Sequence, residues 1–452
     1  MTNLNVGILN ETDSASLSLL DANVAGCRAY ALAKELYPIC RSITGAGLRQ
    51  TLHRLRDQLP TLTIHEVPSG TPCFDWTVPN EWTIREAYIE GPDGSRIVDF
   101  SDSNLHVVNY SCPVDAVLSL EDLRPHLHSI PEMPDAIPYV TSYYKERWGF
   151  CLPHKVLQSL APGKYRAKID SSLSPGSLTY GEVILPCTSS NEVFLSTYVC
   201  HPSLANNELS GPVVATEIIQ WLSTLPSRRY TYRAVFLPET IGSVAYLSRN
   251  LDILKANVVA GFNVTCVGDD RQYSYLPSRN GKTLADRAAL HALKHHAGAE
   301  KYLTYTFLDR GSDERQYCSP GVDLPIASLM RSKYGEYPEY HTSLDNLDLI
   351  TETGLSGSIA LLAKALTAIE SNTVYRTTVL CEPQLGRRGL YPTLGTRTGS
   401  TAVRTLMNVL AYADGSHDLL SIAEMLNLPV WDLKSATDLL ATHGLLAEVS
   451  TN

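Results

Sequence analysis

Ten cysteines are spread singly through 452 residues and no two form a C-x-x-C pair, which excludes a thioredoxin-type motif and a paired-cysteine zinc knuckle. They are also far too sparse for a disulfide scaffold. Reduced, mostly buried thiols are expected. Long apolar runs are missing too: none approaches the roughly 18 to 20 residues of a membrane span, and Met1 to Asp13 lacks the basic-then-apolar order of a secretion signal. Basic charge is short, with 37 Lys and Arg against 47 Asp and Glu, a net charge of −10. General affinity for a nucleic-acid backbone needs clustered cations. The expectation is a cytoplasmic chain with neither a membrane nor a nucleic-acid partner.

What is present is a globular composition, 44% hydrophobic and 19% charged, over a length that predicts two to four units at about 150 residues each. After a loose leader of about 20 residues, Ala25 to Leu59 has helical spacing broken at Pro38 and Gly45. From Thr61 to Cys151 short runs such as IREAYIEG, SRIVDF and LHVVNY alternate with Pro, Gly, Asp and Asn, the texture of a small antiparallel β unit. That unit is rich in Trp, Tyr and Pro and is placed to cover a cleft.

From Gly181 the pattern becomes strand, helix, strand: VILP, EVFLSTYVCHP, helix Gly211 to Leu225, YRAVFLPE, helix Gly242 to Leu254, VVAGFNVTCVGD, helix Leu284 to His296, YTFL, LPIASLM, helix Leu355 to Ile369. Strands rich in Val, Phe and Ile alternating with helices predict an α/β fold with a mainly parallel sheet flanked by helices. Residues 22–60 and 152–372 would form this catalytic domain and 61–151 the inserted β-rich domain. Residues 373–452 would be a linker and a winged-helix-like module, from amphipathic stretches at Ala402 to Ala413, Leu419 to Leu426 and Val430 to His443 followed by GLLAEV. Lys434 is nearly alone as a cation in its candidate recognition segment, so a structural or protein-contact role is expected.

Ligands of such sheets gather at the carboxyl ends of the strands, and three segments there carry polar groups. In STYVCHPSLANNELSG, His201 ends a strand, with Asn207 and Glu208 in the loop that follows; an imidazole with an oxygen donor nearby suits a metal. A lone histidine is more often a structural one. In AVFLPETIGS, Glu239 at a strand mouth is a candidate general base or a helix-terminal acid favoured by the dipole. In YGEYPEYHTSLDNLDLI, His341 lies in a Tyr-rich loop, and Asp345 either orients an imidazole or caps a helix.

Taken with LYPICRSITG, FDWTVPNEW, DSNLHVVNYS, DAIPYVTSYYKERWGFC and GSDERQY, these segments resemble the zinc exopeptidase superfamily of bacterial leucyl aminopeptidases. The chain more closely resembles a bacterial family of aminopeptidase-like proteins with a C-terminal winged helix, often found near polysaccharide or natural-product genes. The resemblance implies that His201 and His341 are metal ligands, that Asn207 falls where the superfamily has a metal-bridging Asp, and that Glu239 is the general base. Thr240 and Asn263 stand where two further ligands would be, which implies a single Zn²⁺. An amide oxygen is a poorer zinc ligand than a carboxylate, so Glu208 is the alternative ligand. Asp313 and Glu314 are candidates to hold a substrate amine, Tyr337 and Tyr340 to line the entrance, and Arg41 and Arg331 to hold a carboxylate.

The function implied is metal-dependent hydrolysis of an amide next to a free amine, in a small peptide or aminoacyl metabolite. Two alternatives stay open: a non-hydrolytic step such as amide formation or cyclisation in the same pocket, and a non-catalytic scaffold.

Overall fold

The computed structural model describes residues 19–391 and 397–449. The expected leader lies almost wholly outside them, as does part of the QLGRRGLYPTLG linker. The first helix, Ala22–Leu36, stops just before Pro38, and Ala46–Gln58 opens at Gly45. Gly45 has φ +96°, and a Cβ there would come within 2.3 Å of the Trp82 carbonyl oxygen. Glycine is therefore required by both torsion and space.

Eight strands form the main sheet, in the spatial order 63–68, 177–185, 231–237, 192–198, 258–263, 326–330, 273–276 and 302–304. The four central strands run parallel, as expected; the strands on either side of them pair antiparallel, and the last pair, 273–276 with 302–304, is again parallel. Every residue of Glu192–Tyr198 and Thr231–Leu237 is buried, which explains why both read as continuous apolar runs rather than alternating ones. Ala22–Leu36, Ser210–Thr224, Leu284–His296 and Glu352–Ser371 contribute to one large core. Ile241–Asn257 contributes chiefly to another, with Phe194, Val235 and Ile326 of the central strands. The helices flank the sheet on both faces. Among the described residues no helix is long and apolar enough to cross a membrane.

A four-stranded antiparallel sheet, ordered 96–99, 81–90, 164–174 and 114–119, forms the small β unit. Its longest strand, Lys164–Ser174, comes from beyond residue 151, whereas Thr63–Pro68 pairs with Ser177–Leu185 at the margin of the large sheet. The segment 137–143 folds back over the large domain: Tyr139 N–H donates to the His341 carbonyl at 2.8 Å, and Ser343 N–H to that of Ile137 at 2.8 Å.

The C-terminal module has helices Arg397–Tyr412, Leu419–Leu426 and Val430–Thr442 and a three-stranded sheet ordered 414–418, 374–377, 446–448. Its Val374–Thr377 strand comes from the stretch expected to be linker. The module shares the large core, through residues such as Leu406, Leu419, Val430 and Leu440. Arg287 holds Asp418 with both terminal nitrogens, at 2.7 and 2.9 Å, and Val430 N–H donates to His291 Nε2 at 2.9 Å.

Candidate active site

Glu192–Tyr198 and Thr231–Leu237 are parallel neighbours with Tyr198 opposite Leu237. The chain continuing from each reaches the same place, and His201 Nε2 lies 3.7 Å from Glu239 Oε2. His341 arrives from the long loop after Ile326–Met330, its ring 5.4 Å from that of His201. Tyr340 stacks on one of its faces at 3.9 Å and Tyr139 meets it edge-on at 5.1 Å.

Between the two histidines runs a single wide turn, Ala205–Leu209, with Asn207 off helical torsions at φ −94°, ψ 58°; such turns recur at functional sites. Asp345 clamps this turn by accepting the N–H groups of Asn206 at 2.6 Å and Asn207 at 2.9 Å, and its outer oxygen also accepts the Tyr337 hydroxyl at 2.7 Å. Asp345 therefore fixes loop backbone and orients no imidazole. Asn207 Oδ1 lies 3.0 Å from His341 Nε2, while its Nδ2 donates to the Tyr198 hydroxyl at 2.6 Å. Backbone strain gathers here: Thr240 has φ +64° and His341 φ +56°, each costing on the order of 1–3 kcal/mol outside glycine.

Glu208 is fully buried, and its partners define it. Arg41, with no exposed surface, donates Nε–H to it at 2.6 Å. The N–H groups of Cys200 and His201 both point at its other oxygen, which lies 3.1 Å from His201 Nδ1. Cys200, His201 and Glu208 form a cluster within 4.8 Å, but both carboxylate oxygens are already committed. Glu208 thus holds Nδ1 and leaves Nε2 of His201 facing Glu239. The alternative of Glu208 as a metal ligand does not fit this network.

Burial is the largest influence on His201 and opposes its charge, but the Glu208 hydrogen bond together with the charges of Glu208 and Glu239 outweighs it, so the imidazole is pushed up. Burial, and the neighbouring His201, push His341 down to about 3, which keeps it neutral. Glu239 is raised by its buried surroundings, with His201 acting the other way. A carboxyl raised toward neutrality is better matched to taking and returning protons.

These groups open into a cavity of about 350 Å³ lined by Trp76, Tyr139, Tyr143 and Tyr144 from the β unit and by Cys200, His201, Glu239, Thr240, Arg315 and His341 from the large domain, among others. Residues 30–372 match a family described as a domain of unknown function (DUF4910), and residues 373–448 match a winged helix-turn-helix family. The chain belongs to the first family. It is 44% identical over 428 residues to a Clostridium acetobutylicum protein provisionally named a polysaccharide biosynthesis protein with an aminopeptidase-like domain, covering 94% of this chain and 97% of that one. A crystal structure from the same organism, provisionally described as a peptidase, superposes with TM-score 0.89 at 43% identity, covering 96% and 98% of the two chains. A zinc aminopeptidase from Bacillus subtilis shares the fold at TM-score 0.55 and 12% identity, covering 76% of this chain and 94% of its own. The chain has an aminopeptidase-like α/β fold with a C-terminal winged helix.

Within this family fold, several expected site residues fall away from the cavity. Arg41 is consumed by Glu208 and by the His201 and Leu36 carbonyls. Arg331 is buried, donates to the Asp269 carbonyl at 2.5 Å and covers the Tyr273 ring. Neither is placed to hold a substrate carboxylate. Asp313 accepts Thr240 N–H at 2.7 Å and the Ser243 hydroxyl at 2.8 Å, and Glu314 accepts from Gly311, Tyr334 and Asn263. Both are fully buried behind the cavity rather than free to meet an amine. Burial, then the charge of Glu239, push Asp313 up to about 8. Tyr337 and Tyr340 lie behind His341 and not at the entrance. The sequence reading missed Arg315 and the wall of Trp76, Tyr139, Tyr143 and Tyr144; the FDWTVPNEW and PYVTSYYKERW segments carried the signal as aromatic clusters in a unit expected over the cleft.

Proposed function

We propose that the protein hydrolyses the amide bond of a small peptide or aminoacyl metabolite, with Glu239 as the proton-transferring residue and one zinc-class ion held by His201, His341 and the Asn207 oxygen. The observation that carries this reading is the meeting of Glu239 Oε2 and His201 Nε2 at 3.7 Å on the wall of an aromatic cavity. The donor set fits one ion. The His201 and His341 rings, 5.4 Å apart, and the Asn207 oxygen, 3.0 Å from His341 Nε2, are the donors that would hold it. When bound, the ion polarises a carbonyl and lowers the pKa of water.

The residues do the rest. Glu208 fixes the His201 tautomer, and Asn207 and the Tyr340 stack position His341. Glu239 takes a proton from the attacking water as the C–O bond forms, then returns it to the amide nitrogen as the C–N bond breaks. The aromatic wall excludes bulk water from this exchange. The Clostridium relative's description, which pairs polysaccharide biosynthesis with an aminopeptidase-like domain, supports a biosynthetic setting for this chemistry.

Glu239→Gln is nearly isosteric but cannot accept the proton, so turnover of a responsive amide substrate should fall on the order of 10²-fold or more with zinc content unchanged. Unchanged turnover removes Glu239 from the chemistry. A second reading, a non-hydrolytic step without an ion, is favoured by one feature: the Asn207 amide is satisfied on both sides, by His341 and by Tyr198. Full activity of chelated wild-type protein would select that reading.

A further inference from the structure

Besides the two histidines, the ionic side chains lining the cavity are Glu239 and Arg315. Arg315 follows the buried pair Asp313 and Glu314 in sequence, and its most obvious role would be to neutralise them. The contacts say otherwise. Among the described residues no carboxylate comes within salt-bridge distance of Arg315; its Nη2 donates to the neutral Thr240 hydroxyl at 2.6 Å, and its Nε is buried without an acceptor. Asp313 and Glu314 are held by backbone, hydroxyl and amide donors instead. A guanidinium has five N–H donors in a planar fork suited to oxyanions, and this one faces a cavity with most of that capacity unspent.

The same corner lacks what a substrate ammonium would need. No carboxylate other than the proton-transferring Glu239 lines the cavity, and the position where the superfamily has a ligand Glu is Thr240, which here anchors Arg315. The polarity of this subsite is thus cationic.

We propose that Arg315 is a substrate-binding residue and that the substrate of this site carries a compact oxyanion, a carboxylate or a phosphate, alongside a group that packs on Trp76 and the cavity tyrosines. The anion lies against Arg315, which shares the cavity with Glu239. This deepens the amide-hydrolase reading and rests on it for the reacting centre, but the anion site is testable without turnover.

The test is calorimetric binding to full-length protein with chelator present, so that no metal contributes. The probes are N-acetylphenylalanine (anionic), its neutral amide, phenylalanine amide (cationic) and inorganic phosphate. N-acetylphenylalanine should bind at least about tenfold more tightly than its neutral amide, Arg315→Gln should bring the two to parity, and Arg315→Lys should keep part of the preference. Phosphate competing with N-acetylphenylalanine would support the shared oxyanion chemistry, and whichever binds more tightly names the source. Equal binding of the anionic and neutral probes to wild type, a preference untouched by Arg315→Gln, or tighter binding of phenylalanine amide would overturn the proposal. Should Arg315→Gln not fold, phenylglyoxal modification of wild-type Arg315, located by peptide mapping, reads the same contact: protection by N-acetylphenylalanine supports it and lack of protection overturns it. Because no step requires hydrolysis, its failure is distinct from that of the Glu239→Gln experiment.

Discussion

Glu208 shows how a site residue acquires its meaning from burial. In the sequence it is one of two oxygen donors beside His201, and nothing in ANNE says which of them meets an ion. Arg41, more than 160 residues earlier, decides the matter by pairing with Glu208 at 2.6 Å with neither side chain exposed. That long-range contact cannot be read from local spacing, whereas His201 and Glu239 could, because each directly follows a buried strand. Removing one partner of a buried pair leaves an uncompensated charge. Arg41→Met should therefore cost about 3–5 kcal/mol in urea unfolding and loosen His201, whose Nδ1 depends on Glu208. A cost below about 1 kcal/mol would mean that the pair does not organise the site.

The elements of the α/β domain were legible where their pattern is self-sufficient. Leu284–His296 carries its own capping box of Thr283 and Asp286, and its expected limits coincide with the observed ones. Tyr273–Leu276 was not foreseen, since four residues between Gln272 and Pro277 have too short an apolar alternation to stand out. Val374–Thr377 was hidden for a related reason: it is a strand only because residues 414–418 and 446–448 pair with it. Docking of this C-terminal sheet and its helices leans on Asp418, which Arg287, Ser421 and Asn372 hold well below the usual carboxylate range against the cost of burial. A depressed folded-state pKa stabilises above the unfolded value of about 3.9 and loses that contribution as pH falls through and below it. Asp418→Asn should destabilise the chain by roughly 1–3 kcal/mol at pH 7, with the gap to wild type closing in acid. A gap that stays constant down to pH 3 would contradict the ionic role.

At the scale of the whole molecule, the winged helix behaves as part of the body of the aminopeptidase-like domain. Val430–Thr442 buries Val430, Leu433 and Leu440, Trp431 packs edge-on against His291, and Lys434 is paired with Asp438. Phosphate contacts need free positive charge, so the full chain should show no salt-sensitive binding to duplex DNA at micromolar concentration. Salt-sensitive binding would reverse this view of the module. The overall architecture was legible because an alternating strand–helix pattern fixes a parallel sheet whose strand ends form a cleft. What covers the cleft was less so, because the contact of segment 137–143 with the His341 loop joins residues some 200 positions apart, and only folding brings them together.

The proposed hydrolysis requires a single ion held by His201, His341 and the Asn207 oxygen beside Glu239. Zinc titration of chelated protein by calorimetry tests it most directly. One site per chain is predicted for wild type, lost in His201→Ala and tightened in Asn207→Asp, because a charged oxygen replaces a neutral one beside two imidazoles. Absence of zinc binding to wild type, or binding that survives His201→Ala unchanged, would contradict it.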